Sequence, residues 1–117
     1  MPAPFVWFDV TVADGDQVRE FYQELFGWTI GPAAGDYQGW MTDGGQPWAG
    51  ISPAGAVPAG RWLPYVPVAD LDAAAKQAVE LGGSLVQDKT VGPAGTSVTI
   101  ADPGGALLAL FTPAAAG

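Results

Sequence analysis

Residues Val10–Ile30 read VTVADGDQVREFYQELFGWTI, and residues Val66–Val86 read VPVADLDAAAKQAVELGGSLV. Laid over each other at a constant offset of 56, without a gap, they are identical at eight of 21 positions: Val10/Val66, Val12/Val68, Ala13/Ala69, Asp14/Asp70, Asp16/Asp72, Glu24/Glu80, Leu25/Leu81 and Gly27/Gly83. Such a repeat means that one supersecondary unit is used twice. Each copy predicts a strand, a helix and a second strand. Asp14 and Asp70 suit N-caps, because a carboxylate accepts from orphan helix N–H groups. Asp16 and Asp72 then fall at the positive end of the helix dipole. Val18, Phe21, Tyr22, Leu25 and Phe26 recur at helical spacing and predict one apolar face. Leu71, Ala74, Ala75, Ala78, Val79 and Leu81 predict a similar face with smaller side chains. Gly27 and Gly83 suit the left-handed position that stops a helix.

The repeat extends further. TDGGQPWAGI (Thr42–Ile51) resembles ADPGGALLAL (Ala101–Leu110) at offset 59, each an Asp-containing turn joining two strand-like runs. The three extra residues are expected in the turn-rich stretch QDKTVGPAGT. The reading is one α+β domain over residues 1–117, built from two tandem β-α-β-β-β modules. These are expected to form a cup-shaped mixed sheet with helices on the outside. Module one covers about 4–52, a Pro/Ala/Gly connector 53–60, and module two about 61–113. Strands are expected at roughly 5–12, 28–31, 37–42, 46–51, 62–68, 84–87, 96–101 and 106–112.

Composition narrows the function. Four basic residues stand against twelve acidic ones, a net charge of −8. That charge repels nucleic acid and an anionic membrane surface. No cysteine and no histidine occur, which removes thiol chemistry and the commonest metal ligands. The start MPAPFVWF lacks the features of a signal peptide, and no apolar run reaches the ~18 residues of a membrane span. A cytoplasmic protein is expected.

The strand ending in VAD, the helix with FYQELFGW and the late strand DPGGALLAL resemble the vicinal oxygen chelate superfamily. This superfamily holds glyoxalases, bleomycin-resistance proteins, fosfomycin-resistance enzymes and extradiol dioxygenases. The resemblance covers almost the whole chain. It implies two modules curling around a ligand, and frequent dimerisation. In metal-using members it implies ligands on the first and last strands of each module. Those places here are Trp7, Gly50, Leu63 and Ala109, none of which ligates a metal. No metal and no cofactor are therefore expected.

Alternation assigns the faces. Val6, Phe8, Val10 and Val12 should pack on the helices, and Trp7, Asp9 and Thr11 should face the concave side. Leu63, Tyr65 and Pro67 share that side, as do Leu107, Ala109 and Phe111. Trp40, Trp48 and Thr99 are further candidates. Asp9 can serve as a general base or as counter-ion to a cationic guest; the plainer role is a carboxylate held by Thr11, Tyr65 or a backbone amide, or exposed to water. Tyr65 can act with it, or simply be a core tyrosine. Trp7 and Trp48 suit a stacking wall, and Trp28 suits the core. The expected function is a metal-free binding protein holding a small aromatic or cationic metabolite or drug. The expected ligand-binding residues are Trp7, Asp9, Trp40, Trp48, Leu63, Tyr65, Thr99, Leu107 and Ala109. The competing function is a metal-independent lyase or isomerase with Asp9 and Tyr65 catalytic. A structural module without a ligand ranks third.

Overall fold

A computed structural model describes residues 4–34 and 37–113. Its elements are β1 (Trp7–Val12), α1 (Gly15–Phe26), β2 (Thr29–Ala34), β3 (Tyr37–Met41), β4 (Pro47–Pro53), β5 (Arg61–Pro67), α2 (Leu71–Glu80), β6 (Ser84–Gly92), β7 (Gly95–Ala101) and β8 (Leu107–Pro113). The order β-α-β-β-β occurs twice, and the class is α+β. The chain forms two compact units. The first spans Trp7–Trp62, and the second joins the residues up to Val6 to the chain from Leu63 onward.

In the first unit the strand order is β2-β3-β4-β1. β1 runs parallel to β4, and the other two pairings are antiparallel. The second unit repeats this as β6-β7-β8-β5, with β5 parallel to β8. A parallel pair needs a crossover, and each helix supplies part of it. Among the described residues no helix is long and apolar enough to cross a membrane.

Both N-caps form as their side chains dictate. Asp14 accepts from the Gln17 amide at 3.2 Å and Asp70 from the Ala73 amide at 3.0 Å. Gly27 closes α1 in the left-handed region at φ 71°. The second stop differs from expectation, because Leu81 caps α2 and the positive φ belongs to Gly82, at 99°. Gly83 is required for another reason. A Cβ there would lie 2.6 Å from the Ala101 carbonyl oxygen and 2.9 Å from that of Ala78.

The core of the second unit is Leu71, Val98, Ile100 and Leu110, with Val66, Val68, Ala74, Ala75, Ala78 and Leu108 packed against it. Val79 and Leu81 turn outward instead of completing the helix face. In the first unit Val18 and Tyr22 are half-buried, whereas Phe21, Leu25 and Phe26 are each more than half exposed. Val6 lies outside β1 and is also half exposed, so the row expected on the helices begins at Phe8.

The repeat's change of offset has a structural cause. β6 has nine residues against six in β2, so the three extra residues lengthen a strand instead of a turn. Register shifts between Leu85 and Gln87 and between Gln87 and Thr90 take up one residue each. Lys89 on this strand pairs with Asp72 of α2 at 2.6 Å. The hydrogen bond to Asp72 and its negative charge raise the Lys89 pKa above the ordinary lysine value.

Thr11 has a fixed task. Its hydroxyl donates to the Pro58 carbonyl at 2.6 Å, and lies 3.1 Å from that of Arg61. Its own carbonyl accepts from the Gly60 amide. The connector is thus tied to β1, and Val57 within it is buried. Thr11→Val is expected to cost about 1 kcal/mol, since it removes the donor that part-buried carbonyls of the connector share. Urea unfolding measures this.

Candidate functional site

Lateral pairing decides which side chains share a face, because paired residues on neighbouring strands point the same way. Asp9 pairs with Gly50, and Gly50 pairs with Gly39. Trp7, Asp9 and Thr11 on β1, Gly50 and Ser52 on β4, and Tyr37 and Gly39 on β3 therefore form one face. Val10, Val12, Ala49 and Trp40 form the other, against α1.

Asp9 is the centre of the first face. It is 3% exposed. The Trp7 indole Nε1 donates to its Oδ1 at 2.8 Å, and the Ser52 hydroxyl to its Oδ2 at 2.9 Å. The Tyr37 hydroxyl donates to the same Oδ1. Trp7 Nε1 also lies 3.3 Å from Tyr37 Oη, with the two rings tilted at 57° and 6.3 Å between centroids. A buried carboxylate needs such donors, since its desolvation is otherwise costly. Thr11, one of the alternatives named for holding Asp9, is bonded to the connector instead.

Two glycines make the arrangement possible. A Cβ on Gly50 would overlap the Tyr37 ring and hydroxyl. A Cβ on Gly39 would stand 2.8 Å from the Ala49 carbonyl oxygen and 2.9 Å from the Ala33 Cβ. Tyr37 thus crosses a floor without side chains to reach Asp9. Tyr37 and Ser52 were not among the sequence candidates. Strand alternation would have found both, each being two residues from a floor glycine.

Trp40 and Trp48 require correction. Trp40 is fully buried on the helix side, with centroids 5.6 Å from both Tyr22 and Trp28. Trp48 sits where the β3–β4 register shifts: Trp40 pairs with Ala49, but Met41 pairs with Pro47. One extra residue on β4 breaks the alternation that placed Trp48 beside Gly50. Its ring meets Trp28 edge-on at 4.9 Å and stacks on Trp62 at 6.3 Å. Trp62 Nε1 donates to the Tyr22 hydroxyl at 3.0 Å. These tryptophans form an aromatic core under α1, away from the Asp9 face. Trp28 is part of that core, as expected.

On the same helix side, a cleft of about 580 Å³ runs between α1 and the connector, lined by Val18, Phe21, Tyr22, Arg61 and Trp62 among others. In the second unit Leu63, Tyr65, Thr99, Leu107 and Ala109 do share a face. Tyr65 pairs with Ala109, and Ala109 with Thr99. Leu63, Thr99 and Ala109 are buried there, and Tyr65 meets Phe111 edge-on at 6.1 Å.

The four positions where the superfamily would place metal ligands hold Trp7, Gly50, Leu63 and Ala109. The space above Gly50 is filled by Tyr37. Among the described residues no three carboxylates stand together. A divalent ion needs several converging donors, so these residues do not fit one.

Two β-α-β-β-β units, each pairing its first strand in parallel with its last, define a chain of the vicinal oxygen chelate superfamily. Residues 6–111 match the glyoxalase-like domain family, and the chain belongs to it. The anthracycline biosynthesis protein DnrV of Streptomyces peucetius is 32% identical over 113 residues. That match takes in 91% of this chain but only 40% of DnrV, so the chain spans about two-fifths of its relative's length. A Streptomyces coelicolor methylmalonyl-CoA epimerase is similar in fold, with a TM-score of 0.65, 21% identity, and coverage of 98% of this chain and 97% of that one. The Mycobacterium tuberculosis methylmalonyl-CoA epimerase gives a TM-score of 0.60 at 22% identity, covering 98% and 94%.

Proposed function

We propose that the chain is a metal-free small-molecule binding protein of the glyoxalase and bleomycin-resistance type. It holds a small aromatic or cationic guest on the Trp7–Tyr37 face of its first unit. The observation that carries this reading is the Tyr37 ring above Gly50, where a metal ligand would otherwise stand. The face presents two part-exposed aromatic rings over a carboxylate. Aromatic stacking adds roughly 0.5–1.5 kcal/mol beyond burial. The net charge of −8 attracts a cation at long range. The relationship to a protein named for anthracycline biosynthesis supports a planar aromatic guest. A cytoplasmic homodimer completes the proposal, and sedimentation at high concentration tests the dimer.

Titration of tryptophan fluorescence with proflavine, a planar aromatic cation, tests the binding function. Saturable binding that is unchanged by chelator is expected, and Trp7→Leu should weaken it about threefold to tenfold, the value of one aromatic stack. Stoichiometric Zn, Ni, Fe or Mn, retained after chelation and needed for binding, would refute the metal-free reading.

A second reading has its own support. The Tyr37 hydroxyl donates directly to Asp9, and a phenol–carboxylate pair is a route for a proton. In a metal-independent lyase or isomerase, Asp9 would be the base. Turnover that survives chelator and disappears in Asp9→Asn would favour this enzyme over the binding protein.

A further inference from the structure

Trp7, Tyr37 and Ser52 each spend a donor on Asp9. The Tyr37 and Ser52 hydroxyls each have one hydrogen, and both point at the carboxylate. The Trp7 indole has a single N–H, directed at Asp9 Oδ1 and brushing Tyr37 Oη. An ionised carboxylate only accepts, so these hydrogens cannot be turned toward a guest without leaving a charged partner. The Tyr37 phenol oxygen, which donates to Asp9 and lies 3.3 Å from Trp7 Nε1, keeps one further lone pair. Asp9 itself is buried, whereas Trp7, Tyr37 and Ser52 are partly exposed.

We propose that Tyr37 is the specificity-determining residue of this face, and that it selects guests carrying a hydroxyl or N–H. Its phenol, pinned by Asp9, accepts a hydrogen bond from the guest while its ring and that of Trp7 carry the apolar contact. Asp9 is a positioning residue here. It fixes the direction of the phenol hydrogen and so fixes the polarity of recognition. A guest offering only an acceptor at that point meets lone pair against lone pair. This inference rests on the binding reading above and adds the ligand's chemical class.

The test uses 2-naphthol, 2-methoxynaphthalene and naphthalene, which share one planar ring system. Affinities are measured by equilibrium dialysis against the intact chain, its Tyr37→Phe variant and its Ser52→Ala variant. The wild type is expected to bind 2-naphthol at least about tenfold more tightly than 2-methoxynaphthalene, the difference one hydrogen bond to a charge-linked oxygen makes. Tyr37→Phe keeps the ring and removes the oxygen. It should bring 2-naphthol and 2-methoxynaphthalene to the same affinity, weakening the former and, with the opposed lone pairs gone, leaving the latter no weaker. A merely structural role for Tyr37 would weaken all three alike. Ser52→Ala should keep most of the preference. Equal binding of naphthol and methoxynaphthalene by the wild type overturns the inference while leaving an aromatic-binding face in place. Failure of all three compounds to bind overturns both.

Discussion

Asp9→Ala is expected to unfold at a temperature roughly 10 °C below Asp9→Asn, a difference of about 2–3 kcal/mol. The comparison is between two neutral replacements, because each relieves the cost of burying a charge and that contribution cancels. What differs is the fate of the donors on Trp7, Tyr37 and Ser52. Asparagine keeps an oxygen for Trp7 Nε1 and the Tyr37 hydroxyl, which share Oδ1. Its amide group then faces Ser52, whose hydroxyl can turn and accept. Alanine leaves all three donors without their acceptor and opens a void beneath them. Each orphaned donor costs about 1–3 kcal/mol when buried, and less where water can enter. Thermal unfolding followed by circular dichroism measures the gap. Equal midpoints for the two variants would mean that the donors around Asp9 do not hold the first unit together.

The fold was readable because its evidence is local. The paired Asp caps, the Gly27 stop and the repeat at offset 56 each depend on a few adjacent residues, and each copy repeats the strand–helix–strand order. The face of β1 followed from alternation alone, so Trp7 and Asp9 fell together on one side of the strand. The failures are non-local. One inserted residue on β4 reverses Trp48, and nothing in PWAGISP marks the bulge. Trp40 follows Gly39 directly on β3, so alternation turns it to the helix side. Alternation places Tyr37 on the face of Gly39, two residues away, but does not show that its ring crosses the bare floor of Gly50. Thr11 lies on the expected strand, but of the alternatives named for Asp9 it is not the holder, since its hydroxyl meets the connector in a tertiary contact.

The floor beneath Tyr37 gives the other large effect. Gly50→Ala should expel the Tyr37 ring and cost about 1–3 kcal/mol, by removing one donor from Asp9 and the packing of Tyr37 on Trp7. The backbone is not the obstacle. Gly50 has no positive φ, and the matching position beside Tyr65 is Ala109, which is fully buried in its strand. Alanine would on propensity alone stabilise a strand by roughly 0.5–1 kcal/mol over glycine. The sign of the effect therefore rests on Tyr37. A double-mutant cycle with Tyr37→Ala isolates this coupling. In the Tyr37→Ala background, Gly50→Ala should be neutral or stabilising. In the wild type it should be destabilising, with the preference for 2-naphthol lost. If Gly50→Ala costs the same in both backgrounds, the added methyl meets something other than Tyr37. The open floor would then have no part in presenting the phenol.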